Sequence, residues 1–327
     1  MPTPTPSPLA RRAAPLYGLH PDALERLGAF ESEVLQAPTA DGEIILKVID
    51  VNHRSQDQVQ AEIDWLLALR ERDLPVAQPI PTLTGRWTEP LDVEGTHAAT
   101  AVAYRKSPGE HRRYDAWNDD HARKLGTLLG QLHAHTRNWT PPGPTRPDWR
   151  DVDVLDQAAT AYPDDDAMQN AVVRLLPHAN ALTTRLPDVG LVHADAHAWN
   201  VLIDHHDTLT LIDFDDAIRA PYLHDLAIAL YYPVATRPDE PAARTAERFL
   251  GPFLEGFDAV APRPHGNSED VATLLAMRIA DLAIAVHLTV PPGDWTDDLR
   301  TTATRLRDRT VTQHDLVPLA TLRTFFD

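Results

Sequence analysis

Cysteine is absent from this chain of 327 residues, which excludes disulfides, thiolate nucleophiles and zinc sites built on sulfur. Any metal must then sit on oxygen or imidazole ligands. Basic residues are scarce: 30 Lys and Arg face 48 Asp and Glu, a formal charge of −18. A field of that sign repels phosphate backbones and anionic lipid surfaces, so neither nucleic acid nor a membrane is expected as a partner. It would attract a cationic small molecule, although an acidic surface also serves solubility alone. Long apolar runs are missing too, for no stretch approaches the roughly 18 uninterrupted residues of a spanning helix. The Pro- and Thr-rich opening lacks the apolar segment of a signal peptide, and a cytoplasmic protein is expected. What is present is ordinary globular material, 43% hydrophobic and 24% charged, long enough for two lobes rather than one small core.

Local patterning divides the chain. Residues 1–16 read as a loose leader, because their composition does not nucleate regular structure. Between Glu33 and Ile49 two antiparallel strands are expected about the Asp41-Gly42 turn signal. Val59, Ile63, Leu66, Leu67 and Leu69 recur at helical spacing between Gln56 and Arg72, before a stop at Pro75. Short strands are expected over 81–87 and 98–104, punctuated by Thr84-Gly85 and Glu94-Gly95. Beyond Ser107-Pro108-Gly109 the text turns helical, with a stripe of Leu125, Leu128, Leu129 and Leu132 behind an Asn118 cap. Residues 141–147 form a Pro- and Gly-rich loop, and the helical remainder is interrupted over 191–212 by short β-rich runs.

The chemistry is concentrated in those runs. Asp195, Asn200 and Asp213 stand beside apolar strand text, where charged groups are costly unless paired or bound to an ion. Oxygen ligands of this kind select Mg2+ or Mn2+ rather than zinc. A carboxylate five residues before an Asn and eighteen before a second carboxylate follows the logic of kinase phosphoryl transfer. In that logic one Asp positions the attacking hydroxyl while the Asn and the other Asp hold metal. The string His193, Asp195, His197 has a second reading, a metal-hydrolase ligand set.

His193-x-Asp195-x-x-x-x-Asn200 followed by Ile212-Asp213-Phe214-Asp215 resembles the aminoglycoside phosphotransferase/choline kinase superfamily. The resemblance extends over most of the chain. Lys47 in its strand and Glu62 in the following helix match the family's phosphate-binding Lys and its Glu partner, while Asp225 falls in a Pro-x-x-x-Asp-Leu-Ala run and Phe253 to Phe257 match a helical aromatic-x-x-Gly-aromatic turn. The resemblance implies an α+β, bilobal, protein-kinase-like fold. An N-terminal nucleotide-binding lobe would span 17–103 and a mainly helical catalytic and substrate lobe 104–327, with a hinge near 103–105. It further implies ATP, with GTP the alternative donor, and Mg2+ held by Asn200 and Asp213, Asp215 standing behind them. Lys47 would meet the phosphates, Glu62 would fix it, Asp195 would orient the acceptor hydroxyl and His193 would brace the loop. The implied activity is phosphoryl transfer to a small amino-alcohol, amino acid, sugar or aminoglycoside. A stress-response-type protein Ser/Thr kinase and a nucleotide-binding pseudokinase are the alternatives.

Two departures stand out. Ala194 takes a place where the family commonly has Gly, and the expected phosphate loop, Gly28 to Val34, has one glycine with Ser32 where relatives often show Asn. Other residues read more plainly. Trp199 is expected to pack, His205 and His206 to sit in a polar turn, and His133, His135 and His224 to be helix-surface or core residues. Asp164 to Asp166 are expected to cap a helix, and a substrate lid is expected among the C-terminal helices with Asp281, Trp295 or Asp297.

Overall fold

The computed structural model describes residues 5–29, 32–151 and 154–327. Among these, the chain order opens with α1 (Pro8–Ala13), β1 (Glu25–Ala29), β2 (Ser32–Thr39), β3 (Gly42–Asp50), α2 (Gln56–Arg70), β4 (Gln78–Ile80), β5 (Glu89–Val93) and β6 (Thr96–Arg105). It continues with α3 (Asp119–Thr136), α4 (Ala158–Ala161), α5 (Asp166–Arg185), β7 (Val189–Val192), β8 (Val201–Ile203), β9 (Leu209–Leu211) and β10 (Ile218–Pro221). Five helices close it: α6 (Leu223–Ala235), α7 (Ala242–Asp258), α8 (Ser268–Thr289), α9 (Asp297–Thr312) and α10 (Leu319–Phe326). The fold is α+β, with an antiparallel sheet towards the N-terminus and helices thereafter.

The chain forms two compact units. The first comprises Met1–His111, Asn138–Arg146 and Trp199–Ala217, the second Arg112–Arg137, Pro147–Ala198 and Ile218–Asp327. These units do not divide at the expected 103/104, and the expected hinge residues 103–105 lie within β6. Ala103 and Arg105 are paired within β6 to both β3 and β4. The first unit also takes back the hairpin β8–β9, joined to it where Ala77 donates to Leu211 O.

Within the first unit β3 is the strand between β2 and β6, and its alternation sorts two faces. Leu46 and Val48 pack with Leu35, Ala101 and Ala103 on one face, while Ile49 and Val102 meet Val59 and Ile63 of α2 on the other. Lys47 lies opposite Val102, on the α2 face. The Asp41-Gly42 turn forms as expected, with Gly42 at φ +120°, a region that favours glycine. The α2 helix starts on a reciprocal capping box between Ser55 and Gln58.

Two local expectations fail. The leader is helical from Pro8, because Ser7 caps the helix, Pro8 suits its first turn and Ala10, Ala13 and Ala14 make a small buried stripe. Tyr17 then donates to Ala101 O at 2.9 Å, fastening the segment to the sheet; residues 1–4 lie outside the described residues. Residues 81–87 form a loop rather than a strand, closed by Thr82 N to Arg86 O at 2.7 Å with Gly85 at φ +86°. The flanking stretches 78–80 and 89–93 pair instead.

The second unit is built on helix pairs. Asn118 caps α3 as expected, accepting from His121 N at 3.0 Å. The α3 and α7 helices meet through glycine: a Cβ at Gly126 would lie 1.9 Å from Phe253 O, and one at Gly256 would lie 2.0 Å from Arg123 O. That close approach is the physical content of the aromatic-x-x-Gly-aromatic landmark. α8 is long and apolar enough to cross a membrane by composition, yet Val271, Leu274, Ile279 and Ile284 are core residues and it carries Arg278 and Asp281 mid-helix.

Candidate active site

Four of the sequence-selected polar residues converge in the first unit. Lys47 Nζ lies 3.0 Å from Asp213 Oδ1 and 3.5 Å from Asp215 Oδ1. Burial alone would lower the pKa of this lysine, but the charges of Asp213, Asp215 and Glu62 together hold it above the ordinary value. Glu62 is in turn bonded to Tyr104, whose hydroxyl donates to Oε1 at 2.8 Å. Glu62 was expected to grip Lys47; here it acts on the lysine through space, while the two aspartates make the ion pairs. Burial, reinforced by Asp215, pushes the Glu62 carboxyl upward against the pull of Lys47.

Asp215 is held more firmly than a second-rank position suggests. His53 Nε2 lies 2.6 Å from its Oδ2 and Arg54 Nη2 3.8 Å away. Burial opposes its charge, yet Lys47, His53 and Arg54 drive its pKa well below the carboxylate range. The loop around it hangs on Arg146, 2% exposed, which donates to Ala217 O at 2.6 Å, to Gln58 O at 3.1 Å and to Asp215 O. Asp213 itself adopts φ +59°, a left-handed conformation that Asp tolerates better than most residues. Asn200 comes beside it in the chain path, since Ile212 N donates to Asn200 O at 2.9 Å.

These donors suit a hard divalent cation. The Asp213 carboxylate is half exposed, at 49%, and Asp215 Oδ1 is buried without a hydrogen-bond partner. An orphaned carboxylate oxygen beside an accessible one is the state a metal ion relieves. Of the expected phosphate loop, residues 30–31 lie outside the described residues, and Ser32 opens β2 opposite Ile49.

Asp195 belongs to the second unit. Its loop hangs from Asp225 of α6, which accepts from His193 N at 3.1 Å and Ala194 N at 2.8 Å. His133 Nε2 lies 2.8 Å from the same carboxylate, in a pair wholly removed from solvent. Burial would raise the Asp225 pKa, but His133, His193 and the Ala194 amide lower it. Ala194 sits at φ +65°, so the position where the family commonly has Gly does impose a glycine-like backbone. His193 braces this turn, accepting at Nδ1 from Asp195 N at 3.2 Å.

The Asp195 carboxylate meets donors from two further helices. Tyr232 of α6 donates to Oδ1 at 3.0 Å, Arg278 of α8 bonds the same oxygen, and His197 Nε2 lies 3.0 Å from Oδ2. Burial works against the charge, but Arg278 and His197 bring the pKa down to about 2. The Ala198 amide donates to the Tyr114 hydroxyl oxygen at 3.1 Å. The metal-hydrolase reading of His193, Asp195 and His197 fails, because among the described residues no three His, Cys, Asp or Glu side chains gather as a metal site.

Sequence reasoning missed Tyr232, Arg278, His53 and Arg146. Arg278 alone left a signal, a basic residue inside an apolar helical run. Trp199, expected to pack, is 55% exposed. Trp295 bonds Val290 O at 2.8 Å and fastens the α8–α9 connection, and Asp297 stands in the first turn of α9. Asp165 caps α5, and residues 205–206 lie in the β8–β9 turn, both as expected.

A family model described as "Phosphotransferase enzyme family" matches residues 23–264. Amicoumacin kinase of Bacillus subtilis (strain 168) is 28% identical over 251 residues, covering 75% of this chain and 74% of that protein. Among solved structures, amicoumacin kinase hAmiN in complex with AMP-PNP, Ca2+ and Ami superposes with a TM-score of 0.83 at 23% identity, over 94% of this chain and 93% of that one. The microcompartment-associated aminopropanol kinase gives a TM-score of 0.72 at 21% identity, over 92% and 94%. The kinase-like fold, the ordered motifs and the family match agree: the chain belongs to the phosphotransferase enzyme family and is a kinase-like phosphotransferase.

Proposed function

We propose that the chain transfers the γ-phosphate of ATP, bound with Mg2+, to a hydroxyl of a small amine-bearing molecule. The observation that carries this reading is the buried, charged Lys47 set between Asp213 and Asp215. A lysine so placed supplies a point charge to phosphates, and Asp213, Asn200 and Asp215 are the oxygen donors that would hold the metal. Mg2+ neutralises phosphate charge when bound. Glu62 and Tyr104 keep the α2 side of Lys47 ordered. Asp195 orients the acceptor: its hydroxyl oxygen bonds the γ-phosphorus as the bond to the ADP oxygen breaks, and the proton leaves towards the carboxylate. With a pKa of about 2, Asp195 is a weak base, which fits a loose transition state that needs positioning more than proton abstraction.

The names of relatives support the small-molecule reading over the protein-kinase and pseudokinase alternatives. They include an amicoumacin kinase, an aminopropanol kinase and a homoserine kinase of Pseudomonas aeruginosa. A net charge of −18 favours an acceptor carrying an amine. Mg-dependent ADP release across a panel of amino-alcohols, amino acids and sugars tests this: it should rise with one acceptor class and vanish in Asp195→Asn. Label appearing on protein Ser or Thr with no small-molecule stimulation would overturn it.

A further inference from the structure

Asp195 is held twice, at its backbone and at its side chain, by different contacts. Asp225 of α6 takes the His193 and Ala194 amides, so the loop keeps its path without help from the Asp195 carboxylate. A second set acts on the carboxylate alone. Tyr232, two turns further along α6, donates to Oδ1 at 3.0 Å, and Arg278, from the middle of α8, bonds the same oxygen. Arg278 Nη2 also lies 2.6 Å from the Tyr232 hydroxyl, which closes a triangle of three polar groups, and its guanidinium stands 5.6 Å from the centre of that ring. The Tyr232 ring in turn lies against His197, 4.0 Å between centres, and His197 Nε2 is 3.0 Å from Asp195 Oδ2.

An aspartate whose backbone alone is fixed can still turn about χ2 and exchange its two oxygens. Two donors from two helices on one oxygen forbid that exchange. They also engage both lone pairs of Oδ1, so a hydroxyl arriving at Asp195 is met by Oδ2, on the His197 side. Stability does not account for the guanidinium. Arg278 stands among the buried Leu274, Leu275, Met277 and Ile279 with its own side chain 16% exposed, and an ion pair in such a place adds little over apolar residues of equal volume.

We propose that Tyr232 and Arg278 are positioning residues for the transfer, a two-helix clamp that locks the Asp195 carboxylate in one orientation and presents Oδ2 to the acceptor hydroxyl. This rests on Asp195 being the residue that orients that hydroxyl. Neither clamp residue has to touch the acceptor. In-line attack depends on where the hydroxyl stands relative to the γ-phosphorus, and misplacement by about 1 Å costs about 100-fold in rate. The clamp therefore acts on kcat, and it acts as a unit, because removing either member loosens the same oxygen.

The test is steady-state ADP release by the full chain with Mg·ATP, with aminopropanol and homoserine as acceptor probes. Arg278→Gln and Tyr232→Phe should lower kcat by about 100-fold and about tenfold, with KM for acceptor and for ATP within about threefold of wild type. The double variant should match Arg278→Gln rather than the product of the two losses, and Arg278→Lys should recover part of the rate. Thermal unfolding with Mg·ATP shows that each variant is folded and binds nucleotide; should Arg278→Gln not fold, Tyr232→Phe, which deletes one oxygen, carries the kinetic arm. A second arm needs no acceptor: carbon NMR of protein labelled at its aspartate carboxyls, the Asp195 signal identified by its absence in Asp195→Asn. Asp195 faces Arg278, Tyr232, His193, His197, Tyr114 and His224, and against burial it is the guanidinium that does most to bring its carboxyl down to about 2. Followed from neutral pH to the onset of acid unfolding, its titration should move to higher pH in Arg278→Gln. Where neither probe gives a rate, this titration decides. A raised KM with kcat intact, losses that multiply in the double variant, or a titration that Arg278→Gln leaves in place overturns the clamp and leaves phosphoryl transfer standing. A wild type that uses a probe no better than Asp195→Asn does loses the reading of Asp195 itself.

Discussion

Asp215, buried, and Asp195, half-buried, are both carboxylates held ionised, and the means differ. Around Asp215 the first unit gathers Lys47, His53 and Arg54, but it also gathers Asp213, Asp216 and Glu62. Around Asp195 the second unit supplies Arg278, Tyr232 and His197, which are donors to one carboxylate. The first arrangement leaves Asp215 Oδ1 without a hydrogen bond, whereas both oxygens of Asp195 accept from donors. On the proposed reading a metal ion would complete the first, whereas the second already meets its charge with donors from the protein.

The comparison breaks most sharply at its supports. Asp225→Asn removes the charge that holds His133 and two loop amides in a fully buried setting, and should cost about 3–5 kcal/mol in chemical denaturation, with Asp195 function lost along with the loop. Removing the cation from each cluster separates the two regions. Lys47→Met and Arg278→Met should each destabilise by about 3 kcal/mol without metal, and millimolar Mg2+ should restore only the Lys47 variant, read as a shift in Tm. Equal rescue of both would erase the distinction.

Acid sharpens it further. The Asp195 carboxyl sits at about 2 against an ordinary 3.8, so its contribution to stability is complete above the ordinary value and disappears as pH falls through about 2. That contribution is about 2 kcal/mol, and in Arg278→Gln the loss should begin at higher pH because burial is no longer opposed by the guanidinium. Acid-unfolding curves of the two proteins, compared at fixed salt, check the direction. The smallest effect is local: Ala194→Gly should gain about 1 kcal/mol or less by relieving the left-handed backbone at φ +65°.

How much of this was legible depended on whether a feature was local in sequence. The Asp41-Gly42 hairpin, the α2 helix and the Asn118 cap follow from short patterns, and all three formed. Lys47, Glu62, Asp195, Asn200 and Asp213 could be picked out because motif spacing marks them. Arg278 lies 83 residues from Asp195, and Arg146 lies 69 from Asp215, so no window of sequence joins either pair. The leader misled because its proline content suggested disorder, whereas Pro8 occupies the one helical position that suits it. The segments 138–146 and 199–217 joined the first unit through tertiary pairing with residues 58 and 75–77, which periodicity does not encode.

The most direct measurement is thermal unfolding of the wild type and Asp213→Asn, each with Mg·ATP, ATP with chelator, and no ligand. A magnesium-dependent rise in Tm, equivalent to about 2.7 kcal/mol at 100 times the dissociation constant, should appear in the wild type and be lost in the variant. An equal rise in both proteins, or a wild-type rise that chelation leaves unchanged, would contradict a metal–nucleotide site built on Lys47 and Asp213.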